Sequence, residues 1–159
     1  MKRRILDNLN RQNSALGLLA TLLGEEFSHL REGDPQAVSA IELSIQELLR
    51  QLSGERLNLK AMVQTASPDG ARLEIYCQSL PKDEQEAFAE LLAEIDGREQ
   101  NCAVLSAKNF ELAMALHEQS RSLLTFLHKQ INPEHKDTYT AQGKFPKVRR
   151  GAAILHGRL

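Results

Sequence analysis

Apolar residues near the start of the chain recur at steps of three and four. The recurring set is Ile5, Leu9, Leu16, Leu19, Leu23 and Leu30, with the polar residues Gln12 and Glu26 at two intervening steps. This spacing places side chains on one face of an α-helix, and further leucines beside the stripe widen it. We therefore predict a helix over about 3–31 that contacts two neighbours.

A second apolar seam, the most regular in the chain, follows a clear boundary. Gly33 interrupts the first pattern, and Asp34-Pro35 supplies a capping oxygen and a proline suited to the first position of a helix. The seam consists of Val38, Ile41, Ile45, Leu48, Leu52, Leu59, Met62 and Ala66, with Glu55 as its polar member. A repeat of 3.5 residues sustained in this way is typical of a coiled coil. We predict a helix over 35–66 that ends at the turn sequence SPDG.

A third seam extends over the longest stretch of the chain. Its apolar members are Phe88, Leu91, Ile95, Cys102, Leu105, Leu112, Leu116, Leu123 and Phe126, and its polar members are Arg98, Asn109, Gln119 and Gln130. We predict a helix over about 83–131, preceded by a short helical segment within 71–80. Gly97 lies inside this helix and lowers its stability by about 1 kcal/mol relative to alanine. A kink or a local break at Gly97 is therefore an alternative to a continuous helix. We expect Asn109 to fix the helix register rather than to touch a partner.

These helices and their short connections predict an all-α fold, an elongated antiparallel three-helix bundle or coiled coil over residues 1–131. At 1.5 Å per residue the helices measure about 44, 48 and 74 Å. If the third helix starts level with the end of the second, about 25 Å of it has no intramolecular partner. The alternative is that residues 71–80 pair with its start and shift the register, so that little protrudes.

The end of the third helix is the candidate partner-binding surface. It carries Leu112, Leu116, Leu123, Leu124, Phe126, Leu127 and Ile131. At roughly 2 kcal/mol per large side chain, leaving six of them in water forfeits on the order of 10 kcal/mol of hydrophobic free energy. The sequence therefore predicts that another molecule covers this surface.

Charge separates the last part of the chain from the rest. Positions 132–159 hold six Lys/Arg against two acids, a net charge of +4, whereas the other residues sum to −5. We predict a flexible, basic, partner-binding tail over 132–159. A nucleic-acid footprint is the competing interpretation, but the negative body and the scarcity of aromatic side chains for stacking argue against it.

The patterns that would carry catalysis or bind a metal are incomplete. The sequence HEQSR at 117–121 has arginine where a zinc-binding HExxH motif has its second histidine, and His117 and His128 lack nearby inward carboxylates. Cys77 and Cys102 form no CxxC pattern, which fits a reduced, cytoplasmic setting. We predict no enzymatic activity, no cofactor and no metal.

The start of the chain imitates an export signal, because a basic head precedes the apolar run ALGLLATLL. Polar residues intervene between the two, and no A-x-A cleavage site follows, so we expect no export. The run is also far shorter than the roughly 20 residues of a membrane-spanning helix.

Several short segments, in their order and spacing, resemble the FlgN family of flagellar export chaperones. They are GEEFSHLREGD at 24–34, LLRQLSGER at 48–56, NCAVL at 101–105, TYTAQG at 138–143 and RRGAAI at 149–154. The resemblance implies a cytoplasmic, ATP-independent chaperone that holds the hook-filament junction proteins FlgK and FlgL unassembled and brings them to the export apparatus. It also implies that Tyr139 is associated with docking on the export gate protein FlhA.

The tail would then supply a second set of partner-binding residues. These are Tyr139, Phe145, Val148, Arg149, Arg150, Ile154 and Leu155. Ordering on a client or on the gate would lower affinity and ease release. The structural alternatives are that Tyr139 caps the end of the third helix and that Phe145 and Ile154 fold back on the acidic body.

A structural role is the second hypothesis. In it the chain is a coiled-coil adaptor or a self-associating helical protein, with the end of the third helix paired with another copy. A weak homo-oligomer also remains open, as do other flagellar chaperones of the FliT or rod type.

Overall fold

The computed structural model describes residues 1–66 and 72–131, and the fold of this part of the chain is all-α. Four helices follow one another: α1 (Lys2–Glu32), α2 (Pro35–Ala66), α3 (Leu73–Gln78) and α4 (Lys82–Ile131). The long helices α1, α2 and α4 start and end within about one residue of the predicted positions, and α3 lies inside the short segment predicted at 71–80.

The turn between α1 and α2 forms as its sequence predicts. Gly33 adopts a left-handed conformation with φ of 70°, which glycine reaches without a steric penalty. The Gly33 amide donates to the Leu30 carbonyl, and the Asp34 amide donates to the His29 carbonyl. The Asp34 carboxylate then accepts hydrogen bonds from the amides of Gln36 and Ala37, both at 3.1 Å, which caps α2.

Helices α1 and α2 run antiparallel. The end of α1 is joined to the start of α2 at Gly33, and Asn8 in the first half of α1 donates a hydrogen bond to Glu55 in the second half of α2. Helices α2 and α4 meet where Arg56 forms an ion pair with Glu99.

Helices α1 and α4 run parallel, as three contacts between them show. The Cys102 thiol donates to the Leu16 carbonyl and the Asn109 amide to the Leu23 carbonyl, and each pair is separated by 86 residues. Lys2 and Glu84 form an ion pair at 2.7 Å, so the starts of α1 and α4 lie side by side.

The core draws most heavily on α1, as expected for a helix with two neighbours. Its buried hydrophobic members are Ile5, Leu9, Leu16, Leu19, Leu23, Leu52, Val63, Tyr76, Phe88, Ile95 and Cys102. Helix α2 contributes only Leu52 and Val63, because most of its regular seam is half-buried. A regular apolar repeat therefore identifies the inward face of α2 but not the depth of its burial.

Helix α4 is continuous over 50 residues, and it passes through Gly97 without the local break that glycine left open. The chain divides into two units at His117, one formed by Met1–His117 and the other beginning at Glu118. All the core contacts above belong to the first unit. Of the second unit, the structure describes residues 118–131, which we call the terminal segment of α4.

Candidate functional site

The terminal segment of α4 is exposed along its whole length. Every residue from His117 to Ile131 is exposed, including large apolar side chains. These are Leu123, Leu124, Phe126, Leu127 and Ile131, and their exposed fractions range from 44% to 73%. Apolar side chains scattered singly on a surface are ordinary, whereas five within nine positions form a patch typical of an interaction site.

The spacing of these side chains gives the terminal segment an apolar face. Leu123 and Leu127 are four residues apart, and Leu124 and Ile131 are seven apart, so all four fall on one side of the helix. Phe126 lies at the margin of this face. A helix with such a face gains free energy when the face is covered by another apolar surface.

The charged residues of the terminal segment add little to its stability. Arg121 and Glu118 approach within 3.9 Å, but their side chains are 73% and 66% exposed. An exposed ion pair of this kind contributes at most a few tenths of a kcal/mol. The apolar face is therefore the most distinctive feature of this segment.

The first two predicted client-binding residues differ from the other five. Leu112 and Leu116 belong to the first unit and are half-buried there, whereas Leu123 to Ile131 belong to the terminal segment. The predicted tail residues Tyr139, Phe145, Val148, Arg149, Arg150, Ile154 and Leu155 lie outside the described residues.

Inside the first unit, polar members of the predicted seams bond to each other or to the backbone. Asn109 is 5% exposed and donates to the Leu23 carbonyl at 2.8 Å and to the Glu26 carboxylate at 2.6 Å. Both Asn109 and Glu26 are polar exceptions to otherwise apolar seams. Their bond explains why neither position is a leucine, and it supports the predicted role of Asn109 in fixing the register.

A second polar cluster joins α1 to α2. Asn8 is fully buried and donates to the Glu55 backbone carbonyl at 3.0 Å and to the Glu55 carboxylate, while Gln12 donates to the Asn8 side-chain oxygen at 2.7 Å. Arg11 binds the same carboxylate through two hydrogen bonds of 2.8 and 2.9 Å. The sequence identified Gln12 and Glu55 as polar members of apolar seams, but it did not identify Asn8. Its spacing of four residues from Gln12 was the feature that could have indicated a shared polar cluster.

The ionisation of these groups follows from their contacts. Hydrogen bonds from the Arg11 side chain hold the pKa of Glu55 below its ordinary value, because they favour the charged carboxylate. Hydrogen bonds from Arg98 and Asn13 act on Glu94 in the same direction. Burial raises the pKa of Cys77 and of Cys102, which opposes formation of the reactive thiolate.

Two further properties of the described residues bear on function. Across 1–66 and 72–131, no group of three His, Cys, Asp or Glu side chains could hold a metal ion. Among the four helices described, none combines the length and the apolar character needed to cross a membrane.

Comparison with known families identifies the chain. The model of the family described as FlgN protein matches residues 1–147, which is most of the sequence. The chain belongs to the FlgN family. This is the family of flagellar export chaperones, so the resemblance found in the short segments is confirmed. Comparisons with curated proteins and with solved structures gave no match.

Membership of the FlgN family gives the chain a general role. Its members are chaperones of flagellar export rather than enzymes, and they bind flagellar hook-associated proteins. The terminal segment of α4 is thus a candidate surface in a protein whose family works by binding other proteins.

Proposed function

We propose that this FlgN-family chain is a cytoplasmic chaperone that binds the hook-filament junction proteins FlgK and FlgL and delivers them to the export gate protein FlhA. The family supports the chaperone role, and the particular partners are our extension of it. In this proposal the chain acts by reversible binding alone and needs no cofactor.

The exposed terminal segment of α4 is the observation that carries the proposal. Its five large apolar side chains can be covered by an amphipathic helix laid along the same face, in the helix-in-groove manner of many peptide complexes. Full burial of one such side chain is worth about 2 kcal/mol, so even partial coverage of five provides a useful affinity. Leu112 and Leu116, which belong to the first unit and are half-buried there, would add to client binding in this proposal.

The three long helices would serve as the framework of this surface. We propose that α1, α2 and the first part of α4 form a three-helix bundle, in which α2 is antiparallel to the other two. The hydrogen bonds that join α1 to α4 and α1 to α2 support this arrangement. Such a bundle would make up the first unit of the chaperone.

The tail would make the second contact. We propose that Tyr139 docks on FlhA and that Phe145, Val148, Ile154 and Leu155, with Arg149 and Arg150, strengthen binding to the client or the gate. The support for Tyr139 is its position in the segment TYTAQG, which resembles the corresponding family element. Replacing Tyr139 by Ala should weaken capture of FlhA while FlgK binding persists, whereas Thr138→Ala should leave both unchanged.

The client surface is tested by the double variant Leu123→Asp with Phe126→Asp. We expect it to abolish co-purification with FlgK and FlgL without lowering the melting temperature, because both side chains are exposed. The matched control is Ser122→Asp with Thr125→Asp, which adds the same charge to the same segment but keeps the apolar face. Loss of folding in the first variant, or equal loss of binding in both, would contradict the proposal.

Self-association is the competing use of the same face. Sedimentation of the full chain across a concentration range separates the two functions, because a tight dimer broken by the Leu123→Asp and Phe126→Asp changes would favour a structural protein. A monomer that binds FlgK would favour the chaperone.

A further inference from the structure

A groove on the first unit combines positive charge with an apolar floor. It has a volume of about 290 Å³ and lies along α2 and the start of α3. The described residues that line it are Arg56, Leu59, Lys60, Val63, Gln64, Arg72 and Leu73. None of them belongs to the client surface or to the tail, so the proposed chaperone function leaves this groove without a role.

Helix geometry explains how these residues come together. Arg56 and Lys60 are four residues apart on α2, so they stand one above the other on the same face. Arg72 immediately precedes α3, and its backbone carbonyl accepts hydrogen bonds from the Ile75 and Tyr76 amides. The last turns of α2 and the first turn of α3 thus present positive side chains on two sides of one groove.

The positive side chains are available to a partner. Arg56, Lys60 and Arg72 are all exposed. Arg56 binds Glu99 across the interface with α4, but Lys60 and Arg72 form no ion pair with any described residue. Two cations that pair with no residue of 1–66 or 72–131, in a chain whose net charge is −1, mark a local concentration of positive charge among the described residues.

The apolar floor of the groove indicates which kind of anionic ligand it can bind. Val63 is only 4% exposed and belongs to the core, while Leu59 and Leu73 are half-buried and pack against it. A phosphate or nucleic-acid backbone would satisfy the cations but would leave this apolar surface uncovered. A peptide with carboxylates beside an apolar side chain would satisfy both, and 290 Å³ accepts one or two side chains rather than a large cofactor.

We propose that this groove is a second docking site, which binds an acidic peptide segment of a partner protein with an aliphatic or aromatic side chain inserted over Leu59 and Leu73. The tail of this chain is not the occupant, because residues 132–159 carry a net charge of +4 and would be repelled. The partner's carboxylates pair with Lys60 and Arg72, so binding weakens as salt rises.

Fluorescence anisotropy of the full chain provides the test. The probe is a fluorescein-labelled peptide of 12 glutamate and leucine residues, with leucine at every third or fourth position. We expect saturable binding that the double variant Lys60→Glu with Arg72→Glu weakens more than ten-fold. The same probe with serine in place of leucine should bind at least ten-fold more weakly than the leucine probe.

A charge-matched control separates the groove from general electrostatics. Arg31→Glu with Lys108→Glu makes the same change in net charge at exposed positions outside the groove, and it should alter affinity less than two-fold. Equal losses in the two double variants, equal binding of the serine probe, or no saturation would overturn the proposal. So would groove-dependent binding of phosphatidylglycerol vesicles without peptide binding, or a dimer that the groove variant dissociates, because either would assign the groove to another occupant.

Discussion

The Asn109 side chain donates to the backbone carbonyl of Leu23 at 2.8 Å, although the two residues are 86 positions apart. The same amide also donates to Glu26, and the Asn109 oxygen accepts no hydrogen bond from residues 1–66 or 72–131. A buried asparagine of this kind contributes less to stability than an apolar residue but restricts the helices to one alignment. The register of α1 against α4 within the first unit therefore depends on Asn109.

The bond between Asn109 and Glu26 should appear as a coupling energy. We expect a double-mutant cycle of Asn109→Ala and Glu26→Ala, measured by urea unfolding, to give about 1 kcal/mol of interaction. The control cycle uses the exposed neighbours Lys108→Ala and Glu25→Ala, for which we expect a value near zero. Additive effects of Asn109→Ala and Glu26→Ala would show that the bond does not stabilise the pairing of α1 with α4.

Glu55 should make stability depend on acid pH. Its pKa is lowered in the folded chain by the Arg11 hydrogen bonds, from an ordinary value of 4.5. Its contribution is therefore complete above pH 4.5 and is lost as the pH falls through the lowered pKa. The free energy of unfolding should fall less steeply with acid in Glu55→Gln than in the unaltered chain. The control is Glu90→Gln, which replaces an exposed glutamate that forms no ion pair with a described residue. It should leave the pH dependence of the free energy of unfolding unchanged.

Gly97 within α4 and Gly33 in the turn after α1 should respond to alanine in opposite ways. A methyl group at Gly97 would meet no atom within 4 Å, so Gly97→Ala should raise the free energy of unfolding by about 0.5–1 kcal/mol. Gly33→Ala should lower it by about 1 kcal/mol, because φ at Gly33 is 70° and alanine is strained there. Thermal unfolding of the two variants beside the unaltered chain measures both effects. A stabilising Gly33→Ala would contradict the left-handed turn.

The two thiols should react slowly with Ellman's reagent. Burial raises the pKa of both cysteines, and Cys102 is 6% exposed while Cys77 is half-buried. We expect Cys102 to react more slowly than Cys77, and both to react at the rate of a free thiol in urea. Single Cys77→Ser and Cys102→Ser variants identify the two rates. Fast reaction of Cys102 in the folded chain would indicate that α1 and α4 separate readily.

The sequence predicted the positions of the helices but left their alignment open. Apolar spacing, the Asp34-Pro35 cap and Gly33 were enough to place α1 and α2, because each signal acts within a few residues. The bond between Asn109 and Leu23 joins residues 86 positions apart, and spacing within one helix carries no information about its neighbour's register. The polar exceptions were visible, but their pairing required the structure.

The exposure of the terminal segment could be expected from the sequence, and its use as a binding site stays a prediction. Helix lengths suggested that the end of the third helix carries uncovered apolar residues, and the terminal segment of α4 is exposed from Glu118 to Ile131. Leu112 and Leu116 were placed with it, although they are half-buried in the first unit. The groove between α2 and α3 was not predicted, because Lys60 and Arg72 are separated in sequence by a turn and neither belongs to an apolar seam.

The pairing of Asn109 with Glu26 also constrains how this chain can diverge. A substitution at either position strands a polar group at the helix interface, so neutral drift at one site would favour a compensating change at the other. Positions 26 and 109 should therefore covary among family members. Members with leucine at 109 should have a residue other than glutamate at 26.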